Sequence, residues 1–81
     1  MKEIELYTAE HPFQLHAYRK QDLAMMYFPD ESKDGATRSL RRWIVQCPEL
    51  LNQLMVEGYN KRLRFYTRRE VELIIEYLGL P

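Results

Sequence analysis

Apolar residues recur along this chain mostly at helical spacing, and the pattern predicts four helices with two short extended segments. The first helix is predicted over Arg19–Tyr27, since Pro29 follows it closely. The third is predicted over Pro48–Gly58, because proline suits a first helical position and glycine a terminating one. Thr67 and Glu70 have the spacing of a capping box, which predicts that the last helix begins there and ends before Gly79.

The central helix is predicted over Asp34–Cys47, with Asp34 as its N-cap and Pro48 ending it. Its positions i, i+4, i+7, i+8 and i+11 form an apolar stripe, made of Ala36, Leu40, Trp43, Ile44 and Cys47. Its polar side carries three arginines, Arg38, Arg41 and Arg42. Such a helix fits either a recognition helix on an acidic surface or an ordinary amphipathic helix.

The extended segments are Phe13–Tyr18, in which apolar and polar residues alternate, and the basic, aromatic Tyr59–Tyr66, with a turn at residues 60–62. Pairing them gives a mainly α fold of about four short helices, with a helix-turn-helix-like pair and a minor two-stranded β element. Residues 1–12 are interpreted as an N-terminal extension and residues 13–81 as a single domain. The predicted core is Leu23, Leu40, Trp43, Ile44, Leu54, Val71, Ile74 and Ile75.

The formal net charge is zero, but its distribution along the chain is uneven. Residues 33–69 carry nine basic and three acidic side chains, whereas residues 1–32 and 70–81 are each acidic by three charges. This asymmetry can place a positive patch on one face of a neutral protein. The alternative is that these charges pair with one another across a small surface.

Residue usage gives little support to catalysis. The one cysteine, Cys47, is expected to be a buried, inert thiol, and His11 and His16 lack neighbouring ligands at a metal-site spacing. The chain has no glycine-rich phosphate loop and no apolar run of bilayer length. We therefore expect no enzymatic activity, cofactor, metal, small-molecule substrate or membrane association, and a cytoplasmic protein.

Two resemblances follow from specific residues. The first is to a family of short bacterial proteins, common in gut bacteria, that is known only as a domain of unknown function. The chain resembles this family in the stretch Tyr18–Pro29 and in a set of separate residues after it. That set is Ala36, Leu40, Trp43, Ile44, Leu50, Gly58, Tyr59 and Leu78–Pro81. The resemblance covers about residues 13–81 and implies no activity.

A second, looser resemblance rests on Asp22–Ala24, Arg38, Trp43, Gly58–Tyr59 and Phe65–Val71. Here the chain is similar to winged helix-turn-helix regulators of the mercury-resistance and excisionase type. The resemblance implies a small regulator of transcription or of a mobile element, whose second helix enters the major groove of duplex DNA and whose wing touches phosphates. The groove-side residues would then be Arg38, Arg41 and Arg42, and the wing residues Lys61, Arg62 and Arg64. Arg68 and Arg69 form a third basic element at the predicted start of the last helix, where arginine side chains and backbone amides would hold phosphates. The alternative is a protein-interaction module anchored by arginine and tyrosine, and a homodimer is compatible with both hypotheses.

Overall fold

A computed structural model describes residues 13–81; the predicted extension of residues 1–12, with His11, lies outside the described residues. The described chain has four helices and two short strands. They are β1 (Tyr18–Arg19), α1 (Lys20–Tyr27), α2 (Lys33–Val45), α3 (Pro48–Val56), β2 (Phe65–Tyr66) and α4 (Arg68–Leu78). The predicted mainly α architecture with a minor two-stranded element is confirmed.

Helix α2 begins earlier than predicted because Ser32, not Asp34, is its N-cap. The Ser32 hydroxyl accepts a hydrogen bond from the Gly35 amide at 3.1 Å, which satisfies one of the free amides of the first turn. Asp34 instead lies within that first turn, where its charge favours the positive end of the helix dipole. The helix ends at Val45, so Cys47 lies beyond it and is half-buried at the start of α3.

The core lies where all four helices meet, and seven of the eight predicted core residues are buried: Leu23, Leu40, Ile44, Leu54, Val71, Ile74 and Ile75. The exception is Trp43: its prediction as a core residue is wrong, because its side chain is 41% exposed. The buried line on α2 is Ala36, Leu40 and Ile44, at successive spacings of four. Because adjacent helical residues are about 100° apart, Trp43 projects to one side of that line.

Trp43 instead packs edge-on against two aromatic residues at the end of α1. Its ring centroid lies 4.7 Å from that of Phe28 and 6.3 Å from that of Tyr27. The Tyr27 hydroxyl donates a hydrogen bond to the Gly79 carbonyl, which ties this edge of the molecule to the end of α4.

Local signals fixed the other helix ends. The Thr67–Glu70 capping box is present in both directions, with the Thr67 amide donating to Glu70 at 2.8 Å and the Glu70 amide donating to Thr67 at 3.2 Å. Gly58 has φ of +90°, so it takes the positive-φ conformation predicted for the residue that closes the third helix. The helix itself ends at Val56, two residues before it.

The β element is shorter than predicted: β1 contains only Tyr18 and Arg19 rather than the whole of residues 13–18. It pairs antiparallel with β2, so that Tyr18 faces Tyr66 and Arg19 faces Phe65. The pairing between the two predicted segments is therefore confirmed. Since the two strands are separated by three helices, Tyr59–Tyr66 forms a loop and one strand and does not form a hairpin wing of its own.

Among residues 13–81, no helix combines the length and the apolar character needed to cross a bilayer.

Candidate nucleic-acid interface

A cleft of about 510 Å³ opens between the start of α1, the first half of α2 and the loop before β2. Most of the charged side chains that line it are basic: Arg19, Lys20, Lys61, Arg62 and Arg64, against the single acid Asp34. Lysine and arginine that line a concave surface concentrate positive potential there. The cleft is therefore a favourable site for an anion.

Lys20 builds the floor of this cleft. Its side chain is nearly buried, and its Nζ donates a hydrogen bond to the Asn60 carbonyl at 2.9 Å. Its backbone amide donates to the Arg64 carbonyl at 2.8 Å. One residue at the start of α1 thus fixes both ends of the basic loop 60–64.

The surroundings of the Lys20 ammonium are aromatic. It lies 4.8 Å from the ring centroid of Tyr59 and 5.3 Å from that of Tyr66, within the range of cation–π attraction. Burial lowers the pKa of Lys20 below its usual 10.5, an effect that the nearby Glu70 carboxylate opposes and Arg41 reinforces. Burial also raises the pKa of Tyr59 and that of Tyr66 above their usual values.

The loop itself is shaped by Asn60. Its Oδ1 accepts a hydrogen bond from the Arg62 amide at 2.8 Å, and its carbonyl accepts one from the Leu63 amide at 3.1 Å. An asparagine that bonds the amide two residues ahead forms a side-chain mimic of a backbone turn. The turn predicted at residues 60–62 is confirmed, and it turns Arg62 and Arg64 toward the cleft.

The arginines of α2 extend this basic surface without lining the cleft. Asp34 and Thr37 form the α2 wall, and Arg38 and Arg41 follow them one turn later at spacings of four. Both arginines are exposed, as is Arg42, which lies about 100° around the helix from Arg41. Trp43 lies on the opposite side of the buried line from Arg41, as expected from the sequence.

Arg68 and Arg69 do not join the cleft. The Arg69 guanidinium donates to Glu72 at 2.9 Å and lies 3.7 Å from Glu57, and the bond to Glu72 raises the pKa of Arg69 above its usual value. The Glu70 amide donates its hydrogen bond to the Thr67 hydroxyl, so it is not free for the phosphate contact predicted at this helix start. Among residues 13–81, both ion pairs belong to Arg69, and the basic side chains of the cleft have no such partner.

Sequence reasoning did not assign Arg19 and Lys20 to a binding site or Tyr66 to the core. Arg19 and Lys20 were assigned only to a predicted helix, and nothing in their local spacing indicates the cleft. Tyr66 is 1% exposed and is the largest fully buried side chain among residues 13–81. A signal for it did exist, because Tyr66 precedes the Thr67 cap and Val71 follows at the fourth helical position, the spacing of a hydrophobic staple.

No three His, Cys, Asp or Glu side chains of residues 13–81 lie together in a way that could hold a metal ion. His16 is exposed, stacks on Tyr18 with ring centroids 4.0 Å apart, and contacts the Ala17 carbonyl through Nδ1. Cys47 packs against the edge of the core.

Comparison with known proteins gives a family and no nearer relative. The family described as "Domain of unknown function (DUF4248)" matches residues 14–81. Neither the curated proteins nor the solved structures contain a significant match.

Proposed function

This chain belongs to the DUF4248 family, whose description assigns no activity, and from the basic cleft we propose that it is a DNA-binding module. The observation that carries the proposal is the convergence of cations from α1 and from the loop before β2 on one concave surface, beside the exposed arginines of α2. Positive side chains that neutralise phosphates supply most of the sequence-independent affinity for DNA. The resemblance to helix-turn-helix regulators supports the same function, in the control of transcription or of a mobile element.

In this proposal the loop and the helix have different roles. Lys61, Arg62 and Arg64 contact phosphates, and Arg38 and Arg41 approach the bases or the second strand from α2. Phosphate contacts position a protein on duplex DNA, whereas contacts to base edges provide sequence preference. Arg69 contributes little, because its charge is already balanced by Glu57 and Glu72.

The test is a titration of a fluorescently labelled random-sequence duplex at several salt concentrations. Arg62→Ala and Arg64→Ala should each lower the slope of log K against log salt by about one unit, with equal effect on all sequences. Arg38→Ala or Arg41→Ala should cost about 1–3 kcal/mol and relax preference at one base position if the side chain reaches a base edge.

Arg69→Ala is the matched control, since it removes an arginine that lies outside the cleft. It also removes the ion partner of the nearly buried Glu72, so circular dichroism must first show that the variant keeps its helices. Its salt slope should equal that of the parent. The proposal fails if the parent shows no salt-dependent affinity for DNA, or if Arg69→Ala lowers the slope as much as Arg62→Ala does.

A second function, docking of a protein partner, is favoured by one separate observation. Trp43 and Met26 are each 41% exposed, and tryptophan is enriched among residues that dominate protein interfaces. Binding through such a surface would depend weakly on salt. A Trp43 substitution that leaves DNA titrations unchanged but abolishes binding to a protein partner would assign this surface to that second function.

A further inference from the structure

Two large apolar side chains lie exposed among the cations of the cleft. Leu63 is 57% exposed and Phe65 is 55% exposed, and both line its wall. Phosphate binding alone does not require apolar side chains at these positions. Their placement indicates a ligand that offers a flat apolar face together with negative charge.

The pairing of β1 with β2 determines the side of the molecule on which Phe65 lies. In the β1–β2 pair, Tyr66 faces the core, so its neighbour Phe65 faces the solvent, directly across from Arg19. The Arg19 guanidinium carbon lies 6.0 Å from the centre of the Phe65 ring. Aromatic rings and guanidinium groups are the two kinds of side chain on which proteins stack unpaired bases.

We propose that this cleft binds an unpaired nucleotide, with its base stacked on Phe65 and packed by Leu63, and its phosphates held by Arg19, Arg62 and Arg64. This inference rests on the proposed DNA-binding function and makes it more specific. The protein then prefers DNA that contains a single-stranded segment over an uninterrupted duplex.

The shape of the site favours this occupant over a base step within a duplex. A side chain that wedges between stacked base pairs must project from the surface into the groove. Phe65 and Leu63 instead line the wall of a half-open cleft of about 510 Å³, a volume in the range of sites that bind small organic ligands. Only a base that has left its stack can enter such a space.

The experiment measures fluorescence anisotropy of two labelled probes of equal length, a single-stranded oligothymidylate and a random-sequence duplex, at two salt concentrations. The parent should bind the single strand more tightly than the duplex. Phe65→Leu, which keeps an apolar side chain but removes the ring, should weaken single-strand binding about tenfold and leave duplex binding within about twofold. Phe65→Tyr, which keeps a ring, should retain the single-strand affinity.

Tyr77→Leu is the matched control, because Tyr77 is another exposed aromatic residue, at 39%, and lies outside the cleft. It should change neither affinity, and circular dichroism should show that each variant keeps its helices. If the duplex is bound as tightly as the single strand, or if Phe65→Leu weakens both equally, the inference is overturned while the DNA-binding function stands. If neither probe is bound with a salt dependence, both fail.

Discussion

Replacing Lys20 with methionine tests whether one buried cation holds the basic loop in place. The substitution keeps an unbranched side chain about as long as the apolar stem of lysine and removes only the terminal ammonium, so it removes little packing. It does remove the hydrogen bond from Nζ to the Asn60 carbonyl and the contacts of the ammonium with Tyr59 and Tyr66. The backbone bond from the Lys20 amide to Arg64 is retained.

The expected loss of stability follows from these contacts. A hydrogen bond with a charged partner contributes about 1.5–3 kcal/mol, and each cation–π contact about 0.5–1 kcal/mol. Removing the ammonium also removes the cost of burying it, which is the reason that burial lowers the pKa of Lys20. We therefore expect a net loss of about 2 kcal/mol, a large part of the roughly 4–12 kcal/mol that a domain of this size has.

The assay is urea unfolding followed by the fluorescence of the single tryptophan, Trp43. In a thermal melt of the same variant, a loss of about 2 kcal/mol corresponds to a fall of about 8–16 °C in Tm. Lys61→Met is the matched control, because Lys61 is an exposed lysine on the same loop, and it should change stability by less than about 0.5 kcal/mol. If Lys20→Met is as stable as Lys61→Met, the interpretation of Lys20 as the anchor of the loop is wrong.

Three further predictions concern stability. Trp43→Ala should lower the free energy of unfolding by about 2 kcal/mol, measured by urea unfolding with circular dichroism. This is less than the loss for a fully buried tryptophan, because 41% of the Trp43 side chain is exposed. A loss above about 4 kcal/mol would contradict this prediction. Because burial raises the pKa of Tyr66 in the folded protein while an unfolded tyrosine ionises near pH 10.0, stability should be full below that pH and fall as the pH rises above it toward the folded pKa. Unfolding at several alkaline pH values should show a shallower fall for Tyr66→Phe, and parallel curves would refute the assignment. Gly58→Ala should cost about 1 kcal/mol in a thermal melt through backbone strain alone, since φ is +90° and no atom lies near the added Cβ. Gly58→Asn should cost less, because asparagine tolerates positive φ better than alanine. Equal losses for the two variants would contradict this conformational explanation.

The sequence by itself determined the features that depend on near neighbours. The Thr67–Glu70 capping box and the closing glycine Gly58 are set by residues within one helical turn of each other, so spacing alone predicted them. The buried line of α2 was also largely predictable, because it repeats with the helical period. The error at Ser32 and Asp34 arose because both residues are good caps and lie only two positions apart.

Tertiary structure decided the rest, because the remaining features depend on which distant segments meet. Trp43 lies at the edge of an apolar stripe, and only the position of α1 determined that it would pack edge-on against Phe28 and remain partly exposed. The cleft exists because β1 pairs with β2, which brings Arg19 beside Phe65 and Lys20 beneath Asn60. A local pattern of charges predicts that a helix or a loop is basic, but only the packed chain determines which basic residues share a surface and which, like Arg69, are already paired.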